Sequence, residues 1–233
     1  MRHFGIVTAA VVVLTALNVV AGSATRRVVL RVQSDDKQDS TAFKDTSPLA
    51  QKVLPAGNVH HSTAHRKTGG SSIRFTGGDD HLAIPDGPAF SFGTDDFSVE
   101  CWIKPEGAGR RFVCGQAPRD GANIRSSIGM AIEADGRLRA SAQSTERTYL
   151  LYAPEKAYAD GEWHHVSFRR VEDQLYLVVD GQTHDRADIG AEALNDADQP
   201  FAIGRAGAFP TDPYRGHIDD FTISRQPRHI TDF

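Results

Sequence analysis

The sequence lacks a basic surplus. Its 26 Lys and Arg stand against 30 Asp and Glu, a net charge of −4 with neutral His, which leaves no electrostatic footprint for nucleic acid. Helix signals are scarce after the first residues, because hardly any apolar set recurs at spacings of three and four. No Gly-x-Ser-x-Gly elbow or comparable nucleophile signature is present. There is no internal repeat with a period of about 20 to 50 residues and no low-complexity tract. Cysteine is nearly absent, at two residues. What is abundant is turn chemistry: 21 Gly and 11 Pro punctuate 233 residues, a length sufficient for one sizeable β domain with a buried core.

The one long apolar run is at the start. Arg2 precedes an uncharged stretch from Phe4 to Ala21, followed by the small residues Gly22-Ser23-Ala24. A positive start, an apolar centre and small residues before a cleavage point describe a secretory signal peptide. The expectation is a signal-peptide helix over 1–24, cleaved after Ala24, with one domain over 25–233. The rival reading is an uncleaved membrane anchor, which Arg26 and Arg27 beyond the run disfavour. No cysteine near the run suggests lipid attachment. Either way the protein is expected to be exported.

The rest of the chain reads as strands. In DGEWHHVSFRRVEDQLYLVVDGQTHD (Asp160 to Asp185), every second side chain is apolar through Val166 and Phe168, and again through Leu175, Leu177 and Val179. That is the period of a half-buried strand. Glu172-Asp173 and Asp180-Gly181 punctuate the runs, and Asp-Gly suits a two-residue hairpin. Three antiparallel strands in succession are expected. Asp135-Gly136 signals another hairpin between Ile128–Glu133 and Arg137–Ala142. A short helical turn is expected at Ala191–Leu194. If SVECWIKP and RRFVCG form a hairpin centred on Gly107-Ala108, Cys101 lies opposite Cys114, on a face shared with Val99, Ile103 and Phe112. A disulfide is then within reach. The other reading is two small buried hydrophobes.

Several segments, in order, resemble the laminin-G-like family of concanavalin A-type jellyrolls. They are Asp45-Thr46-Ser47-Pro48, the GGSSIRFTG stretch from Gly69, Ile84-Pro85, Phe90-Ser91-Phe92-Gly93, the Phe97–Ile103 strand, WHHVS, LYLVVDG, Phe201–Gly204, and the closing Tyr214–Ile223 strand. The resemblance covers about residues 28 to 225. It implies an all-β, two-sheet antiparallel jellyroll β-sandwich for the mature chain.

Glycosidases occur on this jellyroll, and their mechanism needs two carboxylates flanking the bond to be cut. The alternating acidic strand of the glucanase branch is absent; Glu133 and Asp135 imitate it, but Asp135 belongs to a turn. The resemblance also implies one structural calcium tying an early loop to the closing strand, which carries over to Asp45 and Asp219. Alternation places Asp219 inward with Phe221 and Ile223, where a carboxylate needs a cation or several backbone N–H groups. The other readings are that Asp45 caps its own turn through Ser47 and that Asp219 pairs with an Arg such as Arg205. His164 and His165 alternate and so face opposite ways, with His164 a core residue holding a backbone partner. His60, His61 and His65 are expected in solvent, lacking a zinc spacing. Trp102, Tyr149, Tyr152 and Tyr176 are available to stack on a sugar, with Trp102 facing away from the aliphatic set.

The expected function is a non-catalytic recognition module that binds carbohydrate or an extracellular protein, with no nucleic acid and no membrane unless the leader is retained. The alternatives are a glycoside hydrolase or polysaccharide lyase relative, and a structural domain of a surface assembly. The site is expected on the concave face or at the Asp45–Asp219 edge.

Overall fold

The period-2 alternation from Phe97 onward produces a buried aliphatic row, Phe97, Val99, Cys101 and Ile103, each at most 1% exposed. That row is one wall of the core. The structure is a computed structural model and describes residues 27–117, 126–153 and 158–225; the expected signal peptide lies outside the described residues. Among these, the strands are β1 (Arg27–Val32), β2 (Leu54–Ala56), β3 (His60–Ser62), β4 (Ser72–Thr76), β5 (His81–Ile84), β6 (Phe97–Pro105), β7 (Arg111–Gly115), β8 (Ile128–Ile132), β9 (Leu138–Gln143), β10 (Thr148–Ala153), β11 (His164–Val171), β12 (Gln174–Val179), β13 (Gln182–Asp188), β14 (Phe201–Ile203) and β15 (Arg215–Arg225). None of the described residues is helical, and no helix among them is long and apolar enough to cross a membrane.

The strands form two sheets. One runs β13-β12-β11-β6-β15-β4-β3, with β1 also paired to β15; the other runs β10-β9-β8-β7-β14-β5-β2. All pairings are antiparallel. The core between the sheets stacks Phe90 on Phe201 at 5.4 Å and tilts Phe201 against Phe221 at 6.0 Å. Each such buried side chain contributes on the order of 2–3 kcal/mol of transfer free energy.

The three-strand meander forms as the sequence predicts. Val166 faces Val179 and Val171 faces Gln174, while Glu172 (φ 55°), Asp180 (φ 50°) and Gly181 (φ 78°) supply the left-handed turn conformations. The hairpin at Asp135-Gly136 also forms, with Ile132 opposite Leu138.

Three expectations fail. β6 and β7 do not pair, because the chain crosses from one sheet to the other between them: β6 pairs with β11 and β15, β7 with β8 and β14. A turn signal marks a reversal but does not say whether the chain stays in its sheet. The helical turn at Ala191–Leu194 is absent; instead Leu194 bridges Ser144. Finally, Asp219 does not share the face of Phe221 and Ile223. It pairs with Trp102, whereas Thr222 pairs with Glu100, so β15 carries an extra residue here. That residue is Asp220, at φ 46°, and the bulge turns Asp219 to the outside of the sheet.

Candidate functional site

A bulge of the same kind shapes the other sheet. Phe112 pairs with Ala131 but Cys114 pairs with Met130, so Val113 and Cys114 both enter the core and Phe112 is left outside. Phe112 packs there with Ala131, Ala206, Ala117 and Phe209. This corrects the sequence expectation, which put Phe112 with the core set.

The outer face of the seven-stranded sheet can be laid out in cross-strand rows. One row is Phe112–Ala131–Arg139–Tyr152; the next is Gly115–Gly129–Ser141–Leu150. A third continues through Ser127, Gln143 and Thr148. The middle row has no side chain on its first two strands, so it forms the floor of a trough. The trough is a cavity of about 500 Å³, within the size range of small-molecule sites. Leu150 lies exposed (47%) at its end.

The wall beside Phe112 is aromatic and charged. Phe209 meets the Phe112 ring edge-on at 6.0 Å, and the Arg110 guanidinium lies 4.9 Å from the Phe112 centroid. Arg139 donates through Nε to Glu133 Oε1. Arg110 Nε lies 3.6 Å from Glu133 Oε2 and 3.9 Å from Asp212 Oδ2. Two cations are thus matched by two carboxylates.

The opposite wall holds Gln116 (0% exposed) and Ser127 (1%). Gln116 Nε2 donates to Asp86 Oδ1 and to the Gln199 carbonyl, both at 2.8 Å, which uses both amide hydrogens and fixes the amide. Its Oε1 and the Ser127 Oγ have no hydrogen-bond partner. Both atoms have less than 1 Å² of accessible surface, so they are packed behind the trough lining rather than presented to it.

The residues singled out in the sequence fall mostly elsewhere. Asp45 Oδ1 accepts from the N–H groups of Arg31 and Ser47, and Oδ2 from Ser47 Oγ and the Gln51 N–H, all at 2.7–2.8 Å. Asp219 Oδ2 accepts from the N–H groups of Lys67 and Thr68, each at 2.9 Å; Oδ1 accepts from the Asp220 N–H at 2.8 Å and Thr68 Oγ at 3.2 Å. Calcium requires oxygen lone pairs, and here donor hydrogens point at both carboxylates, so this donor set does not fit the cation. No group of three or more His, Cys, Asp or Glu side chains is arranged to hold a metal ion among the described residues. Arg205 bonds the Gly207 carbonyl through Nε, and burial pushes the Asp219 carboxyl up.

Cys101 and Cys114 are buried free thiols that enter one core from opposite sheets. Burial pushes both thiols up. His164 is buried, but its partners are carboxylates rather than backbone: Nδ1 lies 2.8 Å from Asp180 Oδ2 and Nε2 lies 3.1 Å from Asp160 Oδ1. His61 is not in solvent; it is 2% exposed, stacks on Phe43 at 4.3 Å and bonds Ser34 Oγ at 2.6 Å. Asp135 serves its turn, accepting from Arg137 N and Nε.

Of the four candidate stacking aromatics, only Tyr152 shares a row with the trough wall, and Arg137 lies over it at 5.0 Å. Tyr149 is buried, its hydroxyl pushed up to about 12 by that burial and by Glu192. Trp102 faces outward, as alternation predicts, but Lys67 Nζ sits 4.1 Å over its ring. Phe209, Gln116 and Ser127 lay in stretches that read as loops. The available signal was that Gly129 and Ala131 are small at both outward positions of β8, where a solvated strand carries long polar side chains.

A comparison with curated proteins finds no match. Among solved structures, the binding domain of Paraclostridial Mosquitocidal Protein 1 superposes with a TM-score of 0.69 at 14% identity, and the binding domain of botulinum neurotoxin serotype D with 0.67 at 16%. Each covers 88% of this chain, which spans only about half of theirs (50% and 49%). Domain 4 of AbnA, a GH43 extracellular arabinanase from Geobacillus stearothermophilus solved with arabinotriose, superposes with 0.66 at 16% identity, covering 88% of this chain and 96% of that domain. These likenesses fix the fold. The family model of the concanavalin A-like lectin/glucanases superfamily matches residues 76–230, and the chain belongs to that superfamily.

Proposed function

We propose that the chain is an exported carbohydrate-binding module without catalytic activity, and that the glycan lies in the trough over Gly115 and Gly129. The observation that carries this reading is the side-chain-free floor beside the Phe112–Phe209 wall, with Ser141, Gln143 and Thr148 also lining the cavity. A sugar ring needs such a slot: an apolar surface to cover one face and polar groups at its rim. Among the described residues the trough lining contains no Asp or Glu, whereas glycoside hydrolysis needs a pair. The arabinanase domain solved with arabinotriose, matched over nearly its whole length, supports the same class of ligand. Assembly on a larger complex would call for a broad apolar patch, and the exposed large hydrophobics among the described residues are Leu49, Leu54 and Leu150. Export rests on the N-terminal run of the sequence.

The test is calorimetric titration with arabinotriose and a panel of neutral oligosaccharides, with chromatography of the mixture afterwards. Binding without shortened products is expected, weakened about tenfold in Phe209→Ala. Release of fragments, or binding that ignores Phe209, would overturn the proposal.

A further inference from the structure

The trough is closed at one end and open at the other. We infer that it takes the end of a glycan chain rather than a stretch from its middle, with the terminal sugar against the 205–209 loop and the chain leaving across Leu150. This rests on the glycan reading above and says which part of the polymer is recognised.

The closed end lies where the middle row of the sheet passes beneath that loop. From Gly115 the row continues to Ala202 on β14, and Ala202 is 0% exposed. A Cβ on Gly115 would stand 3.5 Å from the Ala206 Cα, and one on Gly207 would stand 2.4 Å from the Ala117 nitrogen. A single methyl group would fill the first gap, so no sugar ring passes between loop and sheet. The loop is also tied down. The Ala208 N–H donates to the Ala117 carbonyl at 2.9 Å, the Phe209 N–H to the Ala206 carbonyl at 2.9 Å, and Arg205 Nε to the Gly207 carbonyl at 2.8 Å. Gly207 holds φ 57°, a left-handed conformation that glycine adopts without strain. Phe209, carried on this loop, lines the trough.

The opposite end opens to solvent. The row runs through Gly129 and Ser141 to Leu150, and β10 is the edge strand of its sheet. Leu150 is 47% exposed, and Thr148, which also lines the trough, is exposed. From β7 to β10 the floor spans three strand intervals of about 4.8 Å, or about 14 Å, the length of two or three sugar units. Further units would extend past the edge of the sheet.

The experiment uses linear arabinan, xylan and mannan, each prepared as two fractions that differ about tenfold in chain length, and arabino-oligosaccharides of one to six units. Each linear chain presents one end of each kind whatever its length. For a polymer that binds, calorimetric titration should therefore find about tenfold fewer sites per gram in the longer fraction, and oligosaccharide affinity should rise to the trisaccharide and then level off. Leu150→Ala, a change at an exposed position, should leave the melting temperature level and weaken trisaccharide binding about threefold. Sites per gram that do not depend on chain length, or affinity that climbs with every added sugar, overturn chain-end recognition while leaving the glycan reading standing. Wild-type trisaccharide affinity in Leu150→Ala overturns the exit across Leu150. No binding to any of these glycans overturns both readings.

Discussion

The outer faces of the two sheets are built on opposite plans. On the eight-stranded sheet the conspicuous side chains are used up on one another. Lys67 covers Trp102, Trp102 leans on His165 at 5.1 Å, His65 meets His217 edge-on at 4.9 Å, Arg74 binds Glu106 at 2.7 Å, and Asp219 holds the 67–68 loop by its N–H groups. On the seven-stranded sheet the corresponding space is occupied by glycine, alanine and serine, and a trough is left open over them. Side chains that satisfy one another stabilise the fold, whereas a void floored by small residues is room for a ligand. The face with fewer side chains is therefore the better candidate for recognition.

This contrast can be broken by experiment. The largest effect should come from the crowded face. Asp219→Ala removes the acceptor for four donors, among them the Lys67 and Thr68 N–H groups. A loss of about 3–5 kcal/mol in denaturant unfolding is expected, with glycan affinity of the folded fraction unchanged. Lost affinity at full stability would mean the two faces had been assigned the wrong way round.

Next comes filling the trough. A Cβ at Gly129 would lie 3.4 Å from the Cys114 carbonyl and from Ser141 Oγ, and Gly129 is not in the left-handed region. Gly129→Leu should therefore fold with its side chain in the trough and lose at least about 100-fold in affinity for the sugar bound by the wild type. Wild-type affinity in this variant would remove the trough as the site.

The smallest effect is a pH dependence confined to the crowded face. His217 is buried, its Nδ1 2.8 Å from Ser72 Oγ, with Arg74, His65, Glu106, Lys104 and Trp163 around it. Burial first, then Arg74 and His65, lowers it from 6.5 to about 4. The fold holds the neutral form, so its contribution is complete above pH 6.5 and is lost as the pH falls toward 4. The loss is on the order of 2 kcal/mol. Asp219, raised by burial, works in the opposite direction, so the measurement is a difference: His217→Gln should flatten the melting-temperature profile between pH 6.5 and 4 relative to wild type. Parallel profiles would show that His217 is not the titrating group.

Periodicity was enough to predict most strands, because a face buried on one side writes itself as alternation: Val166, Phe168, Leu175 and Leu177 all enter the core as spaced. It failed at Phe112 and Asp219, where a bulge shifts the count by one and no local signal announces it. It also failed for β6 and β7, since Gly107 marks the reversal but the change of sheet depends on the rest of the chain. The trough was illegible for a different reason. Its floor consists of missing side chains, and its polar wall combines Gln116 after β7 with Ser127 before β8, which only the tertiary fold brings into one cavity.

The position of β15 has a consequence for how the sandwich is assembled. It is the last of the described strands in sequence, yet it separates β6 from β4 and is the partner of β1. Until residues 215–225 have left the ribosome, one edge each of β4 and β6 stays open and β1 has no sheet to join. The eight-stranded layer thus exists during synthesis as two unjoined halves, and the joining step depends on contacts between strands far apart in sequence. Such non-local closure is slow, and unpaired edges are templates for wrong pairing in the interval. Substitutions in β15 should therefore reduce the yield of native protein during synthesis more than they shorten its lifetime once folded.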